Sequence, residues 1–166
     1  MTAGQYRYSH RVDCGWDRGD QRIGLHDCRA DRASLENGVL SLWFREGIWV
    51  HQRQEDGSLR HFYTGEAQVL FPLCYHNQWD VTVSLFTKEG DNAIREEYHG
   101  AELVKWLEEG SGKVELEFLY EYTGYQRFLF DCWLWYPEPP YHRECQLLVL
   151  ADQMTCHWDQ MREEEE

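Results

Sequence analysis

Lys113-Val114-Glu115-Leu116-Glu117-Phe118-Leu119-Tyr120-Glu121-Tyr122 and Phe128-Leu129-Phe130-Asp131-Cys132-Trp133-Leu134-Trp135, joined through Thr123-Gly124-Tyr125, decide the fold class of this 166-residue chain. In the first run Val114, Leu116, Phe118, Tyr120 and Tyr122 fall on every second position, and Glu115, Glu117 and Glu121 fill most of the gaps. That is the period of a half-buried strand with one oily and one acidic face. The second run places Phe128, Phe130, Cys132, Leu134 and Tyr136 on one parity and Leu129, Trp133 and Trp135 on the other. Apolar on both parities, it reads as a central strand. A third run, Glu144 to Leu150, follows Pro137-Glu138-Pro139-Pro140 and extends the meander.

Upstream, the turn signals are those of hairpins. Asn37-Gly38 separates two candidate strands, and both residues tolerate the positive φ that a tight hairpin turn requires. Asp56-Gly57 repeats the signal, and Arg45-Glu46-Gly47 marks a further turn. Ala67, Val69 and Phe71 alternate up to Pro72, which cannot continue a central strand. Val81, Val83 and Leu85 alternate again, Ile94 to Tyr98 reads as a short strand, and Met154 to Trp158 as the last one. A single amphipathic helix is expected over 101–109, where Leu103, Trp106 and Leu107 stand at i, i+3, i+4 and Gly110 sits at the expected C′ position.

About ten short strands with connections too short for crossover helices give an all-β fold, a mainly antiparallel sandwich or barrel with one short helix near 101–109. The organisation read from the sequence is a single β-rich domain over 1–162. It opens with an irregular N-terminal arm over 1–22, with room for one short strand, carrying Tyr6, Tyr8 and Trp16, and ends in a disordered acidic tail over 163–166, where like charges repel.

Thirty acidic residues against sixteen basic ones give a formal charge of −14. Such a surface repels nucleic-acid phosphates and anionic lipid, so neither nucleic acid nor membrane is expected as a partner, and a basic protein is. The first residues hold no apolar leader core, and no stretch approaches the roughly 18 apolar residues of a membrane helix. The expected compartment is the cytoplasm, where Cys14, Cys28, Cys74, Cys132, Cys145 and Cys156 stay free thiols.

Motifs of catalysis are missing from the sequence. Neither a nucleophile elbow nor a phosphate-cradling glycine loop is present, so the chain reads as non-enzymatic and without a cofactor. Cysteine and histidine lie close four times, at His26/Cys28, Cys74/His76, His142/Cys145 and Cys156/His157. None has the paired chelating spacing of a zinc site. His142 and Cys145 are the best spaced of them, and no metal is expected. Asp131, between aromatic residues, is the one carboxyl whose setting resembles that of a glycosidase acid, with a cross-strand partner as the blander explanation.

Trp133 and Trp135 admit two readings. Covered on both faces, the strand makes them core; covered on one, they form an exposed aromatic patch able to anchor a protein or stack a sugar. The candidate binding residues are therefore Trp133, Trp135, Asp131, Glu115, Glu117 and Glu121. His26-Asp27-Cys28 opening into a hairpin, followed by a long acidic meander, resembles small bacterial β-rich proteins, some of them immunity proteins. That resemblance assigns no role to any residue. The functional expectation is a protein-binding module, of the immunity or inhibitor type, for a basic partner. The alternative is a small-ligand or carbohydrate-binding β-domain that uses the aromatic patch.

Overall fold

The computed structural model describes residues 6–14 and 19–165. Trp16, with the rest of the expected arm at 1–5 and 15–18, and Glu166 of the expected tail lie outside the described residues. The strands of the first half are β1 (Tyr8–Asp13), β2 (Gln21–Gly24), β3 (Cys28–Ala30), β4 (Arg32–Glu36), β5 (Val39–Phe44), β6 (Trp49–Arg53), β7 (Leu59–Thr64) and β8 (Ala67–Pro72). Then come β9 (Val81–Glu89), β10 (Asn92–His99), helix α1 (Gly100–Gly110), β11 (Glu115–Gly124), β12 (Arg127–Trp135), β13 (His142–Val149), β14 (Gln153–Trp158) and β15 (Met161–Glu163).

The described strands form three antiparallel sheets: a six-stranded one ordered β10-β9-β13-β12-β11-β3, a five-stranded one ordered β1-β14-β8-β5-β4, and a four-stranded one ordered β15-β7-β6-β2. The first two face each other through aromatic rings. Phe44 and Phe71 of the five-stranded sheet meet Phe118, Phe128 and Phe130 of the six-stranded sheet at centroid distances of 5.4 to 6.1 Å. The sheets have free edges, so the architecture is sandwich-like. No helix among the described residues is long and apolar enough to cross a membrane.

Asn37 and Gly38 both take positive φ, 53° and 73°, and make the tight β4–β5 turn that the dipeptide announces. The segment from Cys28 to Leu35 is not one strand. Asp31 divides it, so that β3 pairs with β11 in one sheet and β4 with β5 in the other, and the chain steps across the sandwich there.

Helix α1 spans one residue more at each end than the periodicity predicts. Leu103 and Leu107 are its buried stripe, and it packs chiefly on β4, with further contacts to β9 and β10, beside the two facing sheets. The left-handed residue at its end is Ser111, φ 49°, and not Gly110. Gly110 is helical, and a Cβ there would meet the Val114 side chain at 2.6 Å.

The chain ends with more order than the acidic tail suggests. Glu163 closes β15, pairs with Phe62 and accepts from Arg60, and the Glu164 N–H donates to the His61 carbonyl. Pairing of β15 along β7 outweighs the mutual repulsion of the glutamates there. Within the expected N-terminal arm, residues 8–13 form β1, paired along β14.

Candidate functional site

The three runs that decide the fold are β11, β12 and β13, and they lie side by side in the six-stranded sheet. On β12 the two parities have different fates. Phe128, Phe130, Cys132 and Leu134 point into the sandwich and are buried, whereas Leu129, Asp131, Trp133 and Trp135 point outward and stay half-exposed. The outward neighbours Glu144 and His142 on β13, and Arg95 and Glu97 on β10, are exposed. Among the described residues no further layer covers this face, so Trp133 and Trp135 are not core.

Strand β11 departs from its simple alternation at Leu119. Phe118 pairs with Cys132, but the next partner, Asp131, belongs to Tyr120, so Leu119 is an extra residue in a β-bulge. A bulge shifts the parity of everything after it. Tyr120 and Tyr122, expected on the oily inner face, stand beside Asp131 and Leu129 on the outer face and are 61% and 53% exposed. Glu121 moves the other way, opposite Phe130.

Glu115, Glu117 and Glu121 consequently do not share one acidic face. Glu117 is buried at 8% exposure. It accepts a 2.7 Å hydrogen bond from Trp135 Nε1 and lies 3.7 Å from the Arg29 guanidinium, which stands opposite it on β3. Arg29 also lies over the Trp135 ring, 4.6 Å from its centroid. A buried carboxylate needs such partners to offset lost hydration.

The two tryptophans are held edge-to-face, with centroids 5.7 Å apart and planes at 74°, and the His142 ring lies 4.9 Å from each. Asp131 accepts a 3.1 Å hydrogen bond from Gln146 Nε2 across the β12–β13 ladder. Its partner is thus an amide, in line with the blander of its two readings. Glu144 and Phe86 continue the Trp133 row toward the β10 edge. The result is an aromatic surface in which carboxylates alternate with rings.

His142 and Cys145 stand three apart on one strand, and a strand sends such residues to opposite faces. His142 joins the tryptophans outside, and Cys145 is buried opposite Cys132. Cys156 and His157, adjacent on β14, diverge in the same way. No group of three or more His, Cys, Asp or Glu among the described residues could hold a metal ion. None of the six cysteines, all of them described, is in a disulfide. Burial pushes the Cys28 and Cys145 thiols up to about 12 and raises Cys132 as well, which leaves them poor nucleophiles.

A cleft of about 530 Å³ opens where the end of α1 meets β10 and the Pro137–Tyr141 loop, walled by Tyr98, Trp106 and Tyr136. Arg143 at its rim is already engaged by Thr87 at 2.6 Å and Glu96 at 3.8 Å. The outer sheet face is therefore the better candidate site. Its members Tyr120, Tyr122 and Arg29 do not stand out in the sequence because a bulge and a three-residue neighbouring strand place them there, and Phe86 and Glu144 because only the long-range pairing of β9, β13 and β12 sets them beside Trp133. Comparison with known proteins finds no matching family model, no similar curated protein and no similar solved structure.

Proposed function

We propose that the chain is a non-enzymatic protein-binding module that docks a basic protein on the outer face of its six-stranded sheet. The observation that carries this reading is the uncovered face on which Trp133, Trp135, Tyr120 and Tyr122 stand with Glu115, Asp131 and Glu144. Large exposed aromatic patches mark interaction sites, and Trp and Tyr dominate interface hot spots. The charge of −14 supplies the complementarity and steers a cationic partner. It also opposes a second copy of the chain as the occupant.

The geometry favours a protein over a sugar. Stacking of a saccharide needs a free, accessible ring face, but Arg29 already lies over Trp135 and the two indoles are nearly perpendicular to each other. Rings locked before binding lose little side-chain entropy on docking, which suits a preorganised protein interface. An inhibitor or immunity-type role against a basic partner fits this surface.

Two parallel assays separate the readings. Immobilised protein should capture basic proteins at low ionic strength and release them as salt approaches 1 M, where the screening length falls to about 3 Å. A Trp133→Ala/Glu144→Lys variant should capture far less. A glycan array together with a thermal-shift panel should give no hit. A saccharide that raises Tm in the parent protein but not in the variant would replace this reading with the carbohydrate-binding one.

A further inference from the structure

The four-stranded sheet carries a second cluster, away from the aromatic face. His51 on β6 and His61 on β7 are directly opposed in the antiparallel register, and their Nδ1 atoms are 2.7 Å apart. Their rings are 4.8 Å apart at 77°. Two neutral imidazoles at this separation share a single proton, one Nδ1–H donating to the other's lone pair. A metal cation can take that position once the donor ring moves its proton to Nε2, which leaves both Nδ1 lone pairs free, and neutral imidazole nitrogen is the commonest protein ligand for later first-row metals.

The pair is held in place by its surroundings. Trp49 lies parallel to His51, with planes 8° apart, and packs edge-on against Tyr63. Gly24 on β2 makes room for the His51 ring: a Cβ there would sit 2.7 Å from His51 Nε2. Arg22 stands opposite His51 in register, and Glu164 follows β15 beside His61. No third His, Cys, Asp or Glu among the described residues completes a protein cage.

We propose that His51 and His61 form an open divalent-metal site of the cis, tetragonal class that suits Cu(II) and Ni(II), with water in the remaining positions. The 2.7 Å separation is that of a hydrogen bond, so the open coordination set and not the distance points to the class. Two adjacent imidazoles with water elsewhere leave the tetragonal positions that Cu(II) and Ni(II) favour. Small rotations of both rings bring the lone pairs from facing each other to facing a common point beside them. The expected preference is Cu(II) over Ni(II) over Zn(II) for this two-nitrogen bite.

The test titrates Ni(II) and Zn(II) separately into the full chain by calorimetry and reads Cu(II) by electron paramagnetic resonance. One Ni(II) per chain is expected, bound more tightly than Zn(II), with an axial Cu(II) spectrum split by two nitrogens. Changes in a ligand's outer partners alone cost about 10- to 100-fold in affinity, so His51→Gln and His61→Gln should each weaken Ni(II) at least tenfold. The exposed His26→Gln control should leave it unchanged. Unaltered Ni(II) affinity in both variants, tighter Zn(II) than Ni(II), or a Cu(II) spectrum with sulfur ligation overturns the proposal. If a variant fails to fold, the nitrogen count in the parent's Cu(II) spectrum decides: two support the site, and fewer refute it.

Discussion

The two faces of β12 differ by one residue in register and by an entire layer in environment. Inward, Phe128, Phe130, Cys132 and Leu134 are between 0% and 2% exposed, closed over by the opposite sheet. Outward, Trp133 and Trp135 are as apolar in composition but stay half-exposed, held by Arg29, Glu117, His142 and each other. Hydrophobicity on both parities of a strand therefore does not require two covering layers. Large rings can shelter one another within a single sheet when a cation and a carboxylate lock their edges and faces.

The largest expected effect lies on the inner face. Phe130→Ala should cost about 3–5 kcal/mol in denaturant unfolding, the range for a buried aromatic truncated to a cavity. Trp133→Ala on the outer face, which removes less buried area, should cost no more than about half of that. Equal costs for the two would mean that a layer covers the outer face after all.

Next in size is the contrast within β11. Glu117→Leu leaves the Trp135 N–H and Arg29 without their acceptor and should cost about 1–3 kcal/mol, the penalty of stranding partly buried polar partners. Glu115→Gln, two residues away on the same face, should lie within about 0.5 kcal/mol of the parent. Urea midpoints of the two variants read the difference directly, and a neutral Glu117→Leu would show that the Arg29–Glu117–Trp135 lock does not hold the rings.

A third contrast is with the outer face of the five-stranded sheet, where Gln68 and His157 are buried side by side in the β8–β14 ladder. Burial lowers the His157 pKa below its ordinary 6.5, so the fold favours the neutral ring. Its contribution is fully present above about 6.5, the pKa of the unfolded chain, and is lost as pH falls from there toward the lower folded value. His157→Gln should flatten the decline of Tm over that acid window. An unchanged slope would assign acid sensitivity to other groups.

Several of these features are legible in the sequence, and others are not, for physical reasons. The Asn37-Gly38 turn can be read because few other residue pairs tolerate positive φ twice in succession. The 101–109 helix can be read because Leu103 and Leu107 mark its stripe. The bulge at Leu119 is hidden, since Phe118, Tyr120 and Tyr122 keep perfect alternation through it while their register against β12 shifts. For the same reason the acidic stripe of Glu115, Glu117 and Glu121 looks like one face and is two. Arg29 is hidden because β3 is three residues long and pairs only through long-range contacts. The meeting of His51 and His61 is hidden for a similar reason: a two-residue Asp56-Gly57 turn would set His51 opposite Phe62, and only the three-residue loop Glu55-Asp56-Gly57 between Gln54 and Ser58 brings it opposite His61.

The smallest stability effect should accompany the clearest effect on association. Glu115→Gln/Glu144→Gln should leave Tm nearly unchanged, because exposed charges contribute little to folding. The association rate with a captured basic partner at low salt should nonetheless fall, as steering weakens.

Photo-crosslinking from two exposed tyrosines tests the central claim most directly. Tyr122 stands on the outer face of the six-stranded sheet, and Tyr75 lies in the loop between β8 and β9 and is 70% exposed. With p-benzoylphenylalanine placed at one position or the other, the account predicts salt-sensitive crosslinks to basic proteins from position 122 and few from position 75. Equal yields from both positions, or crosslinks from 75 alone, would contradict the assignment of the aromatic sheet face as the docking surface.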